Sequence, residues 1–170
     1  MSGITVLTHT AAATRAVGCA LAPLLRAGDL VLLAGEMGAG KTELAKGIGD
    51  GLGIDDTVVS PTFTIAREYD APIPLVHVDV YRLNRVQEVI DLALEERDDA
   101  VTVVEWGDAA SSAFPAGRLE IGLARIDGVG SVDDRTLTLE AQGAGWRARA
   151  EAIGVAMRAV AASADDIESP

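Results

Sequence analysis

The sequence predicts an α/β fold: a mixed, mostly parallel sheet flanked by helices and finished by a C-terminal β-hairpin and helix. Short apolar segments with strand character alternate with segments of helical periodicity, the pattern of strands and helices layered around one sheet. The first of those strands runs directly into a glycine-rich loop and a helix. Near the C-terminus, two segments alternate apolar and polar residues on either side of turn chemistry, the signature of an antiparallel hairpin.

Thr10 is placed to cap a helix whose apolar positions Ala13, Val17, Ala20, Leu21, Leu24 and Leu25 recur every three or four residues and end before Gly28. Asp29 to Ala34 is a short apolar run, as expected of a strand buried on both faces. Leu44, Ile48 and Leu52 mark one face of a helix over 42–52, and Gly53 is its C-terminal stop. Thr62 to Tyr69, Pro74 to Val80 and Ala100 to Val104 read as further strands, with a helix over Gln87 to Glu96 between the last two. Arg118 to Ile126 and Arg135 to Ala141 form the hairpin around Asp127 to Ser131. Trp146, Ala150, Ile153, Met157 and Val160 share one face of a final helix, beyond which the acidic end has nothing to bury. No repeat or linker divides the chain, so 1–162 is expected to form one domain and 163–170 a frayed acidic tail.

Composition narrows the function. With 170 residues, 49% apolar and 24% charged, the chain has the make-up of one globular domain and not of a disordered segment. Fourteen Lys and Arg against 26 Asp and Glu leave a net charge of −12, which repels phosphate backbones and anionic lipid surfaces. Strong direct nucleic-acid binding is therefore not expected. The longest apolar stretches, Ala16 to Leu25 and Leu30 to Ala34, fall far short of the roughly 20 residues that cross a bilayer, so no membrane role is expected. A single cysteine, Cys19, and an N-terminus without the basic and apolar regions of a signal peptide favour the cytoplasm. Lysine occurs only at Lys41 and Lys46.

Gly35-Glu36-Met37-Gly38-Ala39-Gly40-Lys41-Thr42 matches G-x-x-x-x-G-K-[ST] and sits between a buried strand and a helix, where a phosphate-binding loop must sit. Gly38 and Gly40 permit backbone conformations in which successive N–H groups surround a phosphate. The helix N-terminus favours the anion, Lys41 reaches the β- and γ-phosphates, and the Thr42 hydroxyl is suited to Mg²⁺. Glu36 to Glu43 are thus the candidate nucleotide-binding residues: Glu36, Met37, Gly38, Ala39, Gly40, Lys41, Thr42 and Glu43. Glu36 is expected to point away from the phosphates and Lys46 toward solvent. The competing reading, an ordinary glycine-rich turn, explains neither the strand before the loop nor the helix after it.

Such a loop needs a carboxylate opposite, commonly at the end of a neighbouring strand. Asp79 and Glu105 both stand at the carboxyl ends of expected strands, where open α/β sheets bind ligands. Asp79 is assigned to Mg²⁺, directly or through water, and Glu105 to a metal-bound or attacking water, with the reverse assignment left open. His77 lies on the face of its strand that carries Asp79, and reads first as a satisfied core histidine. Thr62, in Ser60-Pro61-Thr62-Phe63, is placed either to approach a γ-phosphate or simply to complete a turn. Trp106 is either a core residue or an exposed recognition surface.

Taken together, Gly35 to Thr42, Ser60 to Phe63, the run His77-Val78-Asp79-Val80-Tyr81-Arg82-Leu83 and Glu105-Trp106 resemble the TsaE family of small bacterial P-loop ATPases. These blocks span about residues 30 to 107. The resemblance implies a P-loop NTPase fold, binding of ATP and Mg²⁺, and slow ATP hydrolysis as an accessory to threonylcarbamoyladenosine formation on tRNA, with TsaB and TsaD proteins as partners. It places the family's nucleotide residues on Lys41 and Thr42, its metal-site Asp on Asp79, its SPTF threonine on Thr62 and its functional Glu and Trp on Glu105 and Trp106. The chain departs from the family at Glu36-Met37, where Asp-Leu is frequent, and at Leu92-Ala93-Leu94, which lacks a frequent glycine. Residues after about 110 carry little of its signature.

Two other readings compete. A small-molecule kinase would need a mobile lid with arginines, and Arg82, Arg85 and Arg97 lie in the right segment without a lid pattern. A nucleotide-gated scaffold would bind without appreciable turnover. A GTPase is weaker, since its guanine-reading motif needs a lysine well beyond residue 50.

Overall fold

The computed structural model describes residues 3–61, 64–81, 97–106, 112–126 and 131–168, with the side chains of 164–168 excepted. Among the described residues seven strands form one sheet in the order β1-β7-β6-β2-β5-β4-β3: β1 Ile4–Thr8, β2 Leu30–Ala34, β3 Ala66–Tyr69, β4 Leu75–Asp79, β5 Val101–Glu105, β6 Arg118–Arg125 and β7 Arg135–Gln142. The centre is parallel, with β2 flanked by β5 and β6 and β4 beyond β5. Antiparallel pairing adds β7 and then β1 at one edge and β3 at the other. The fold is the mixed α/β sheet with a late hairpin that the sequence predicts. Strand β1 is an addition. It pairs with the far end of the chain, Ile4 opposite Leu139, a partnership no local pattern announces.

Helix α1, Ala11–Leu21, begins where Thr10 accepts a hydrogen bond from the Ala13 N–H at 2.9 Å, and a 3₁₀ turn over Ala22–Leu24 follows it. Helix α2, Lys41–Leu52, stops at Gly53 in the left-handed conformation, φ 81°. Helix α3, Ala144–Glu168, closes the described chain, and residue 162 falls within it. The helix expected over Gln87 to Glu96, residues Thr62 and Phe63 and most of the turn from Asp127 lie outside the described residues. The strand expected from Thr62 begins only at Ala66, because the Thr64 and Ile65 N–H groups turn back onto the Pro61 carbonyl.

Alternation along the strands builds a core on each face of the sheet. Val31 and Leu33 join Val17, Leu21, Leu44, Ile48, Ile153 and Met157 under the helices, while Leu30 and Leu32 join Val76, Val78, Val104 and Phe114 on the other side. Helix α1 lies between α2 and α3 and touches both. Its approach to α2 is set by glycines: a methyl group at Gly47 would overlap the Arg15 carbonyl, and one at Gly18 the Leu44 carbonyl. Arg149 of α3 grips Asp29, at the entrance to β2, through two hydrogen bonds of 2.7 and 2.8 Å. That hydrogen bond raises the Arg149 pKa further above its ordinary value.

Candidate active site

The carboxyl ends of β2, β4 and β5 meet the N-terminus of α2 around a cavity of about 500 Å³. Met37, Gly38, Gly40, Lys41, Thr42 and Glu43 line one side, and Asp79, Glu105 and Trp106 the other. The loop turns as its glycines require, Gly38 at φ 77° and Gly40, the N-cap of α2, at φ 105°. Among the described residues no side-chain hydrogen bond caps α2, whose start faces the cavity. Ala39 is buried in the loop's foundation, whereas Glu36 is exposed. Lys46 is half-buried and pairs with Glu43 at 2.5 Å instead of facing solvent alone.

Lys41 is only 4% exposed. Its Nζ donates to the Gly35 carbonyl at 2.6 Å and the Glu36 carbonyl at 2.8 Å, and lies 3.6 Å from the centre of the Trp106 ring. A cation over an indole face gains electrostatically, and more so when desolvated. The Trp106 ring also meets Tyr81 at 4.7 Å between centroids. Trp106 is therefore part of the cavity wall and partly buried, and neither a plain core residue nor a free surface. Its φ of 62° is unusual for a residue with a side chain.

Asp79 and Glu105 are register partners on adjacent parallel strands, and both are nearly buried. Glu105 accepts from the Thr42 hydroxyl at 2.9 and 3.1 Å on its two oxygens and from His77 Nε2 at 2.9 Å on Oε1. An ionised carboxylate only accepts, so in this contact Nε2 carries the proton. His77 Nδ1 is buried and has no hydrogen-bond partner among the described residues. His77 is thus more than a satisfied core residue, since it orients a carboxylate that faces the loop. Asp79 Oδ1 accepts from the Tyr81 N–H at 2.8 Å.

Oxygen donors from a hydroxyl and two carboxylates suit Mg²⁺ shared with a ligand, since that ion binds through one or two carboxylates with substrate phosphates and water completing its shell. Among the described residues no three His, Cys, Asp or Glu side chains cluster as a self-sufficient metal cage. Glycines with positive φ, an uncapped helix start and Lys41 likewise fit a polyphosphate.

Thr62 lies outside the described residues, as do Arg82 and Arg85. Beside Thr62, Ser60 lines the cavity. The Ile65 N–H donates to the Pro61 carbonyl, and the Ile65 carbonyl accepts from the Asp79 N–H at 2.8 Å, which ties that segment to the end of β4. Arg97 pairs with Glu68 and Asp99 and does not line the cavity. Sequence reasoning missed Arg135 and Asp133, which line the cavity from beyond residue 110, and Ala11 and Thr14 from α1. A motif search has no means of finding them, because the sheet order alone brings them here.

Residues 8–131 match the family model for the threonylcarbamoyl adenosine biosynthesis protein TsaE. The tRNA threonylcarbamoyladenosine biosynthesis protein TsaE of Streptomyces coelicolor is 46% identical over 138 residues, covering 78% of this chain and 93% of that protein. Its counterpart from Bacillus subtilis is 41% identical over 133 residues, 76% of this chain and 80% of that one. The crystal structure of YdiB from Bacillus subtilis superimposes with a TM-score of 0.74 at 32% identity, covering 91% of this chain and 95% of that one.

Proposed function

The chain belongs to the TsaE family, and from that premise we propose that it is a Mg²⁺-dependent ATPase acting as an accessory to threonylcarbamoyladenosine formation on tRNA. The observation that carries this reading is the convergence of Lys41 and Thr42 with Asp79 and Glu105 on one cavity. The N–H groups of the loop and of the α2 start receive the phosphates, and Lys41 exchanges its contacts with the Gly35 and Glu36 carbonyls for phosphate oxygens. Thr42 and Asp79 would hold Mg²⁺, directly or through water, and Glu105 would position a metal-bound or attacking water. When bound, the ion neutralises charge on the transferring phosphoryl group. His77 keeps the Glu105 carboxylate turned toward Thr42.

The net charge of −12 favours action through partner proteins over a direct grip on tRNA phosphates. Proteins of the TsaB and TsaD types are the proposed partners, and the cytoplasm is the proposed compartment. Among the described residues, no helix is long and apolar enough to cross a membrane.

Calorimetry with Mg-ATP, followed by phosphate release with and without TsaB and TsaD, tests the reading. Binding with slow turnover that the partners stimulate is the expected result. Absence of binding heat overturns it, transfer of phosphate to a metabolite makes the protein a kinase, and tight binding without turnover makes it a scaffold.

A further inference from the structure

Arg135 opens β7, 96 residues beyond Ala39 of the loop, and is 8% exposed. Its Nε donates to the Ala39 carbonyl at 3.0 Å and its Nη2 to the Gly38 carbonyl at 3.2 Å. Its Nη1 donates to the carbonyls of Val132, at 2.8 Å, and Asp134, at 3.0 Å. Four of the five guanidinium N–H groups thus end on main-chain oxygens. No carboxylate lies within ion-pair distance among the described residues, although buried charges are ordinarily paired. The guanidinium also forms part of the cavity wall.

Two cations therefore divide the loop's carbonyls between them. Lys41 takes Gly35 and Glu36, and Arg135 takes Gly38 and Ala39. In a planar trans peptide the C=O and the following N–H point to opposite edges. The grip on the Ala39 carbonyl therefore directs the Gly40 N–H, which heads α2, away from Arg135. The Gly38 grip does the same for the Ala39 N–H, which closes a turn onto the Glu36 carbonyl at 3.1 Å. A segment with glycines at two of three consecutive positions has a large conformational freedom to lose, and ordering it in advance lowers the cost of binding.

We propose that Arg135 is a positioning residue of the nucleotide site, which holds the phosphate loop in its binding shape before ligand arrives. This rests on the reading of the cavity as a nucleotide site. Lysine at 135 would keep the charge but lacks the planar fork that reaches two successive carbonyls.

The test compares full-length wild type with Arg135→Lys and Arg135→Met. The readouts are Mg-ADP calorimetry, ATP turnover, and hydrogen exchange of residues 35–43 in ligand-free protein. Both variants are expected to bind roughly tenfold more weakly, as for the loss of hydrogen bonds from a charged group. Exchange over 35–43 should rise while β5 is unchanged, and turnover at saturating ATP should stay within about twofold, because Arg135 makes no contact with Thr42, Asp79 or Glu105. If Arg135→Met does not fold, Arg135→Lys decides. A folded variant with wild-type affinity and wild-type exchange overturns the proposal. Wild type that binds no nucleotide overturns the ATPase reading instead, and the exchange comparison still decides whether Arg135 orders the loop.

Discussion

His77 Nε2 lies 2.9 Å from Glu105 Oε1, the imidazole fully buried behind a nearly buried carboxylate that lines the cavity. The imidazole donates to the same carboxylate that accepts from Thr42, so Glu105 is held from two sides. Replacing His77 by Phe keeps the bulk and removes the donor. Single-turnover hydrolysis should slow on the order of tenfold, as for loss of a residue that orients a ligand's partner, with Mg-ADP affinity within about twofold of wild type. Equal hydrolysis rates would show that Glu105 needs no such support.

Lys41→Ala removes a charged donor from the loop together with the cation over Trp106. Nucleotide affinity should fall roughly 10- to 100-fold, the range for a hydrogen bond to a charged group. Fluorescence titration with an ADP analogue measures it, and an unchanged dissociation constant rejects the assignment.

Asp79→Asn and Glu105→Gln preserve shape while removing the negative charge. Each should lower turnover far more than binding, since a residue acting in the transition state shows its effect there. The Glu105 variant still accepts from Thr42 and His77 through its carbonyl oxygen, so circular dichroism should be unaltered. Turnover equal to wild type in either variant eliminates that residue from the chemistry.

Gly47→Ala probes the contact of α1 with α2, where the added methyl meets the Arg15 carbonyl. Backbone yields poorly, so the overpacking cost should be about 1–3 kcal/mol or more. Melting should fall by roughly 2–4 °C per kcal/mol for a chain of this size. A melting temperature equal to wild type would mean that the helices separate at little cost.

Acid stability reports on Asp134. Its carboxyl is held below the usual carboxylate range, first by the hydrogen bond from His9 and then by the Ser131 N–H and the charges of His9 and Arg135. A carboxyl depressed in the folded state adds stability that is complete above its unfolded value, about 3.9, and is lost as pH falls through the lower folded value. Asp134→Asn should therefore flatten this part of the acid limb in urea titrations between pH 5 and 3, and an identical pH dependence would dismiss the linkage.

Much of this molecule is legible in its residues because the deciding interactions are local. Thr10 caps α1, Gly53 ends α2, and β2 leads into Gly35 because neighbouring residues settle those features. Asp79 and Glu105 reach the cavity because a strand end has one place to point once the sheet is parallel. What escapes is decided by tertiary neighbours. Strand β1 is half-exposed and short, and exists because β7 offers it an edge. The tie of His77 to Glu105 depends on the β4–β5 pairing, and that of Arg135 to the loop depends on where the hairpin lands beside β2.

The hairpin's hold on Gly38 and Ala39 has a consequence for the order in which the molecule comes into being. Chains leave the ribosome N-terminus first, so Lys41 is in the open well before Arg135 is made, and β1 waits for β7 throughout that interval. A nascent polypeptide halted near residue 131 would own the whole signature motif yet lack the clasp that stiffens it.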